Sequence, residues 1–505
     1  MTKYCPKCSS DNILKQEGRF SVSGNQRWRC ATCTATTTTP LDVLPQILPK
    51  MKMKRLRASK FFVITSAVND TDLVPGALES FLQLANHCNG ELLIIPTQYK
   101  NPTAFSKGAQ VSYRWPSEIL PYLCNSDVML NKSLCIKGDT KINQTAANPL
   151  SGFAAAGTTV SEIYGHGQMA LEMVANPRNE MPKMLHTTGS ISQKNYGNSV
   201  AGKKAAHHHT IAAVIVEIKG SKFWTREVNF DGEGVQDLNI YHKPTGSQVR
   251  KYTAAVVYGD THVDTLPKKT GTMLNNVSLN LEAEYNVYHD LHNHTRGSHH
   301  NRGNTITNWR LAISNQLCIR EELLKAVKFL EDKVNPHVVD SNHDRHLNQW
   351  FNRFKPSGDD LVNLDLYFEL TGLLRESTVG DNLFRLFIEK HLDNVVFTNC
   401  NEPFMIAGVD CSQHGDRGPN GSRGSARSLS KAGHKMVIGH SHSCAWVKGV
   451  VQVGVSDLNH HYANGMSSWT NSHCIIYKNG KRSLFHIVDG KLSPTMQEYN
   501  SITKE

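Results

Sequence analysis

The chain has 505 residues, room for about three domains, and 39% of them are hydrophobic. That content supports a sizeable core and excludes wholesale disorder. Lys plus Arg outnumber Asp plus Glu by 55 to 44, and the resulting charge of +11 suits a polyanionic partner.

No apolar run approaches the ~20 residues that a membrane helix needs. The start of the chain, Met1 to Cys8, is polar and lacks a hydrophobic signal core. We therefore expect a cytoplasmic protein without a membrane partner. Its twelve cysteines read as thiols or metal ligands, not as a disulfide framework.

The first module spans residues 1–35. Cys5-Pro-Lys-Cys8 and Cys30-Ala-Thr-Cys33 are two CxxC knuckles. Four thiolates in two close pairs make a closed tetrahedral site that suits one structural zinc ion. So short a segment needs metal binding to fold. Arg19, Arg27, Trp28 and Arg29 lie between the knuckles, placed to hold nucleic acid or, alternatively, to pack and solvate the module. Residues 36–57 read as a basic linker.

Residues 58–250 read as an α/β domain of unknown role. "FFVITSA" (61–67), helical spacing from Leu73 to Cys88 and "ELLIIPT" (91–97) make a parallel βαβ unit. "SLCIKGD" (133–139) and "IAAVIVEIK" (211–219) continue the pattern, and 151–160 and 189–202 read as loops. The tract His207-His208-His209 reads as a solvated turn, with metal or phosphate contact as the alternative.

Residues 251–505 carry the chemistry. Strands are expected at "AAVVY" (254–258), "NVVFT" (394–398), "FMIAGVD" (404–410), "KMVIG" (435–439) and "VKGVVQVGV" (447–455). Helices are expected over Ile313–Val334, 362–376 and 382–392. Asp260-Thr261-His262 follows the first of these strands. Asp and His two apart point to the same side and can share one cation. Asp290 stands in "YHDLHNH", followed by Asn342-His343-Asp344, His414 and His440-Ser441-His442. Most sit just past the C-terminal end of a strand, where open α/β folds place their sites. Carboxylate, amide and imidazole without thiolate suit manganese, iron or zinc.

This ordered set resembles the calcineurin-like metallophosphoesterase superfamily, with its D-x-H, GD-x-x-D, GNH-D/E, His and GH-x-H motifs. The resemblance covers roughly 250–490. It implies an αββα sandwich with a two-metal centre. By position, Asp260, His262 and His442 would hold one metal, Asn342, His414 and His440 the other, and Asp290 both. His343 would protonate the leaving oxygen, with Asp344 orienting it. The second motif departs from the pattern, because His289 replaces the glycine and the second aspartate is missing. Ser341 likewise replaces a glycine. His289, His292 and His294 are each a further ligand or a polar loop residue.

Arg345 and the loop 415–431, with Arg417, Arg423 and Arg427, are expected to contact substrate phosphates, the alternative being an ordinary solvated surface. The basic stretch Arg296–Arg302 has the same two readings. The whole chain is similar to the first-step-transfer host-DNA-degrading DNases of siphophages that inject their genome in two steps. That likeness implies a manganese-dependent DNase, acting as a homo-oligomer on DNA in the host bacterial cytoplasm. Two other readings remain: a phosphoprotein or nucleotide phosphatase using the same centre, and a non-catalytic DNA-binding or assembly protein.

Overall fold

The computed structural model describes residues 3–5, 7, 10–22, 24–38, 59–99, 114–155, 159–177, 181–298, 301, 303–356, 358, 360–378, 380, 382–458 and 465–500. Cys8, most of the linker 36–57, and His299, His300 and Arg302 of the basic stretch lie outside the described residues.

The fold is α/β. Its centre is a six-stranded sheet in the order Val396–Thr398, Pro336–Val339, Tyr285–Tyr288, Thr253–Val257, Ser472–Tyr477, Arg482–His486. The first four strands run parallel and the last two pair antiparallel. Burial on both faces explains the unbroken apolar runs. Alternation assigns the faces: Ala255 and Val257 enter one core, while Val256 and Tyr258 enter another. The second core is closed by helices, among them Lys268–Leu281, Ile319–Glu331, Leu364–Glu376 and Leu383–His391.

The first core joins three sheets. A four-stranded sheet contributes Phe62, Ile64 and Val214, and a ten-stranded sheet contributes Ile163, Val437 and Val451. In the four-stranded sheet Phe61–Val68 and Glu91–Thr97 pair in parallel around the helix Ala77–His87, as the βαβ pattern predicts.

The ten-stranded sheet crosses the expected boundary at 250/251. Its strand Ala170–Val174 pairs with Ala445–Val447 through Leu171 and Trp446. The block 58–250 is thus no free-standing layer, because one sheet is shared with residues beyond 400. Strand sequences reveal apolar alternation but not which edge each strand joins.

Several elements differ in detail from the expected ones. The helix expected over Ile313–Val334 is two, Thr305–Ile313 and Ile319–Glu331, separated by Asn315 at φ 53°. Residues 404–410 and 447–455 are not continuous strands. Left-handed Ala407 and Gly408 turn the first into a hairpin, and Lys448 at φ 54° turns the second, joining Ala445–Val447 to Val450–Gln452. His207 and His208 end the helix Val200–His208. His209 is buried, bonded to Tyr196 Oη at 2.7 Å and Ser192 O at 2.9 Å, whereas His207 is exposed, so the tract is a helix end of which only part is solvated.

Candidate metal centre

The parallel strands of the six-stranded sheet deliver their C-terminal ends to one place. Past Thr253–Val257, the Thr261 and His262 amides donate to the His289 and Asp290 carbonyls, both at 2.9 Å. The ladder thereby continues and sets Asp260 and His262 against Asp290. His440 and His442 arrive from the neighbouring sheet, after Met436–Ile438. The His440 amide donates to Asp260 Oδ1 at 3.0 Å.

Asp260, His262, Asp290 and His442 each offer one ligand atom, and these lie within 4.8 Å of one another. Asp290, His414 and His440 form a second such group. Asp290 belongs to both. His442 Nε2 lies 3.1 Å from Asp260 Oδ2 and 3.3 Å from His262 Nε2. His414 Nε2 lies 3.3 Å from Asp290 Oδ2. Asn342 Oδ1 faces His414 Nε2 at 3.1 Å and His440 Nδ1 at 3.0 Å, so the amide stands at the second group. All seven expected ligands therefore converge, although the first and last, Asp260 and His442, are 182 positions apart in the chain.

The backbone here is unusual. His262, Asp290, His294, His440 and His442 all have φ between 39° and 75°, the left-handed region. Non-glycine residues held there cost of order 1–3 kcal/mol each, and they cluster where function demands it. Gly439 is needed for another reason: a Cβ there would stand 2.3 Å from Asp260 Oδ1 and 2.9 Å from His289 Cβ.

The electrostatics suit cations. Burial opposes ionisation of Asp290, yet His343 and His414 hold its carboxyl well below the usual range. Burial likewise opposes ionisation of Asp260, as does Asp290, but the hydrogen bond and charge of His442 together with His414 hold its carboxyl below the usual range. Burial alone would lower His414, but Asp290, then Asp260 and Asp416, raise it to about 9. Two buried carboxylates thus demand positive charge at this spot, and hard oxygens with imidazoles are a donor set for manganese, iron or zinc.

His343 Nε2 lies 3.8 Å from Asp290 Oδ2, and its Nδ1 faces the Asn293 carbonyl at 3.2 Å. That carbonyl, not Asp344, orients the ring. Asp344 is buried and its Oδ2 accepts from the Ser341 amide at 3.1 Å. Burial, with Asp340 and Asp290 nearby, pushes its carboxyl well above the usual range. Its place is to hold the turn that carries Asn342 and His343.

His289, His292 and His294 are all fully buried, so none is a polar surface residue. His292 is fixed structurally: its Nε2 meets the Glu322 carbonyl at 2.9 Å and its Nδ1 accepts from the His294 amide at 2.8 Å. Both ring nitrogens of His289 and of His294 lack a hydrogen-bond partner among the described residues. Burial, then His414, lowers His289 to about 3.

Arg345 is paired with Asp416 beside the centre. Arg417 reaches Cys400 Sγ at 3.4 Å and lies 3.8 Å from Asp416. The stretch 415–431 contains the short helix Ala426–Leu429 and so is not an irregular loop throughout. Arg423 and Arg427 line a cleft together with His440, Ser441 and Gln452. The sequence reading missed Asp416 and Asn293, whose roles are set by folding partners. Gly439 was visible in "VIGHSH", yet its purpose is steric and has no sequence signal.

In the N-terminal module Cys5, Cys30 and Cys33 come together, with Cys5 Sγ 3.6 Å from Cys33 Sγ. Three thiols at this spacing could hold a zinc ion. Trp28 packs against the cluster half-buried, while Arg19, Arg27 and Arg29 are exposed.

Fold and site together define an α/β protein whose sheets converge on two candidate metal groups sharing one aspartate. The chain belongs to the family of protein A1 of Escherichia phage T5: the two are 30% identical over 465 residues, 86% of this chain and 83% of that protein. No protein-family model matches the chain. Two solved structures of Chaetomium thermophilum Vps29, one with a cyclic peptide, match with a TM-score of 0.21. Their sequence identities are 11% and 10%, over 38% of this chain and 98% and 95% of theirs.

Proposed function

We propose that the protein is a metal-dependent phosphodiesterase of the calcineurin-like class that hydrolyses DNA. The observation carrying this reading is Asp290, a buried carboxylate common to two ligand groups. Adjacent divalent cations, when bound, polarise a phosphate and bring the pKa of water toward neutrality. Manganese fits the oxygen-and-imidazole donors. Residues Asp260, His262 and His442 would hold one cation, Asn342, His414 and His440 the second.

The protein's own groups supply the rest. The Asn293 carbonyl accepts a hydrogen bond from His343 Nδ1–H and so directs Nε2 into the centre, where the protonated ring can deliver its Nε2 proton to a leaving alkoxide. Asp344 fixes the turn beneath it through the Ser341 amide. Arg423 and Arg427, exposed beside His440, are placed to hold flanking phosphates. A +11 chain with a cysteine module favours a polymeric anion over a small phosphomonoester. Kinship with a phage protein fits a phage origin, and on that footing the proposed substrate is host DNA in an infected bacterium, with the protein acting as a homo-oligomer.

The test is His343→Ala assayed on supercoiled plasmid with manganese and, in parallel, on a phosphomonoester. The expected outcome is plasmid cleavage by the parent, little monoester hydrolysis, and a loss of at least about 100-fold in the variant at unchanged metal content. Retained cleavage would remove His343 from the mechanism.

A further inference from the structure

Beside the centre lies a second cleft, of about 510 Å³, between the helices Asp344–Phe351 and Leu383–His391 and the segment 397–401. Three of its wall residues are close chain neighbours of site residues. Asp340 stands two before Asn342, Arg345 two after His343, and Arg417 three after His414. The cleft therefore lies beside the centre: Arg345 of its wall is paired with Asp416, two residues after His414, and the Asp340 carboxyl feels the His414 charge.

Its lining is polar. Asn348, Asn352, Asn382, Asn399 and Asn401 are asparagines, and Phe397 is the only large apolar side chain among the described residues of the wall. Such a surface suits neither a lipid nor an apolar ligand. The amides are partly pre-set. Asn382 Nδ2 donates to Asp340 Oδ1 at 2.8 Å, which fixes the carboxylate at the inner wall. Arg385 Nε donates to Glu389 at 2.8 Å, and its terminal nitrogens have no protein partner among the described residues. Three arginines against one aspartate give the lining a positive balance.

Amides with paired donors and acceptors, and guanidinium forks, are the groups that match base edges and phosphate oxygens. The volume lies in the range of small-molecule sites, roughly 300–1,000 Å³. We infer that this cleft is the subsite for the nucleotide adjoining the scissile phosphate, an inference that rests on the nuclease reading of the centre. A single strand would run from the centre past Arg345 and Asp340, with its base between the asparagines and Arg385.

The double variant Arg385→Gln, Asn352→Ala tests this in the full-length protein. Arg385 caps nothing with its side chain, and Asn352 is exposed. Binding of a labelled single-stranded oligonucleotide is measured by anisotropy with calcium present. Hydrolysis of bis(p-nitrophenyl) phosphate, which has no nucleotide to fill the cleft, is measured with manganese. Binding should weaken roughly tenfold or more while diester hydrolysis stays at the parental rate. Unchanged oligonucleotide affinity overturns the subsite, and so does equal loss of binding and diester hydrolysis, which would place both residues in the centre's support. Failure of the parent to hydrolyse either diester would sink the nuclease reading instead, and the anisotropy result would still judge the cleft.

Discussion

Gly439→Ala perturbs the centre without replacing a ligand. The glycine lies outside the left-handed region, so alanine meets no backbone penalty. Its Cβ, however, would sit 2.3 Å from Asp260 Oδ1, where real contacts are not closer than 3.0 Å. The carboxylate must retreat by about 0.7 Å. Retreat is obstructed, because the same Cβ stands 2.9 Å and 3.0 Å from His289 Cβ and Cγ, and Asp260 is fully buried. The same oxygen also accepts the His440 amide, so the shift spreads to the second ligand group. Overpacking of this kind costs about 1–3 kcal/mol. Displaced support of a ligand typically costs 10–100-fold in metal affinity. Calorimetric titration of manganese into the metal-stripped variant should show that loss, with a lowered thermal midpoint. Gly372→Ala, in the helix Leu364–Glu376 with nothing within 4 Å of the new Cβ, is the control: it should bind manganese normally and gain about 0.5–1 kcal/mol. Parental manganese affinity in Gly439→Ala would refute the steric reasoning.

Other consequences concern different parts of the molecule. Burial, then Asp264, pushes the Glu322 carboxyl up to about 8 from 4.5. A raised acid stabilises the fold most below pH 4.5 and loses that contribution as pH rises toward 8, by about 5 kcal/mol at most. Glu322→Gln should therefore flatten the fall in thermal midpoint between pH 5 and pH 8.5, and an unchanged slope would assign the effect elsewhere. Cys30→Ser should release one zinc ion per chain, read by a chromophoric chelator, and leave manganese binding at the Asp290 centre intact. Asp416→Asn should free Arg345 and weaken its placement, raising KM for DNA several-fold with metal affinity little changed; an unaltered KM would make that ion pair merely structural.

The sequence carries the centre well because strand ends are readable. "AAVVY" and "KMVIG" mark buried strands with parallel neighbours, and the polar residues after them must emerge at one edge. That is why Asp260, Asp290, Asn342, His414, His440 and His442 could be collected before any fold was known. What sequence hides is pairing. Nothing in "ALEMV" shows that it will bond to "AWV" some 270 positions later, so the shared ten-stranded sheet is invisible. Short turns also escape: Ala407-Gly408 and Lys448-Gly449 sit inside apolar runs and read as strand. Roles set by tertiary partners are lost as well. Asp344 beside His343 suggests an orienting pair, yet folding gives that task to the Asn293 carbonyl, 50 positions away.

The central claim is that two cations lie on either side of Asp290. Anomalous diffraction from crystals soaked in manganese tests it most directly. Two peaks about 3.5–4 Å apart, one near Asp260, His262 and His442 and one near Asn342, His414 and His440, are the predicted result. No peak at Asp290, or peaks only at surface carboxylates, would contradict the account.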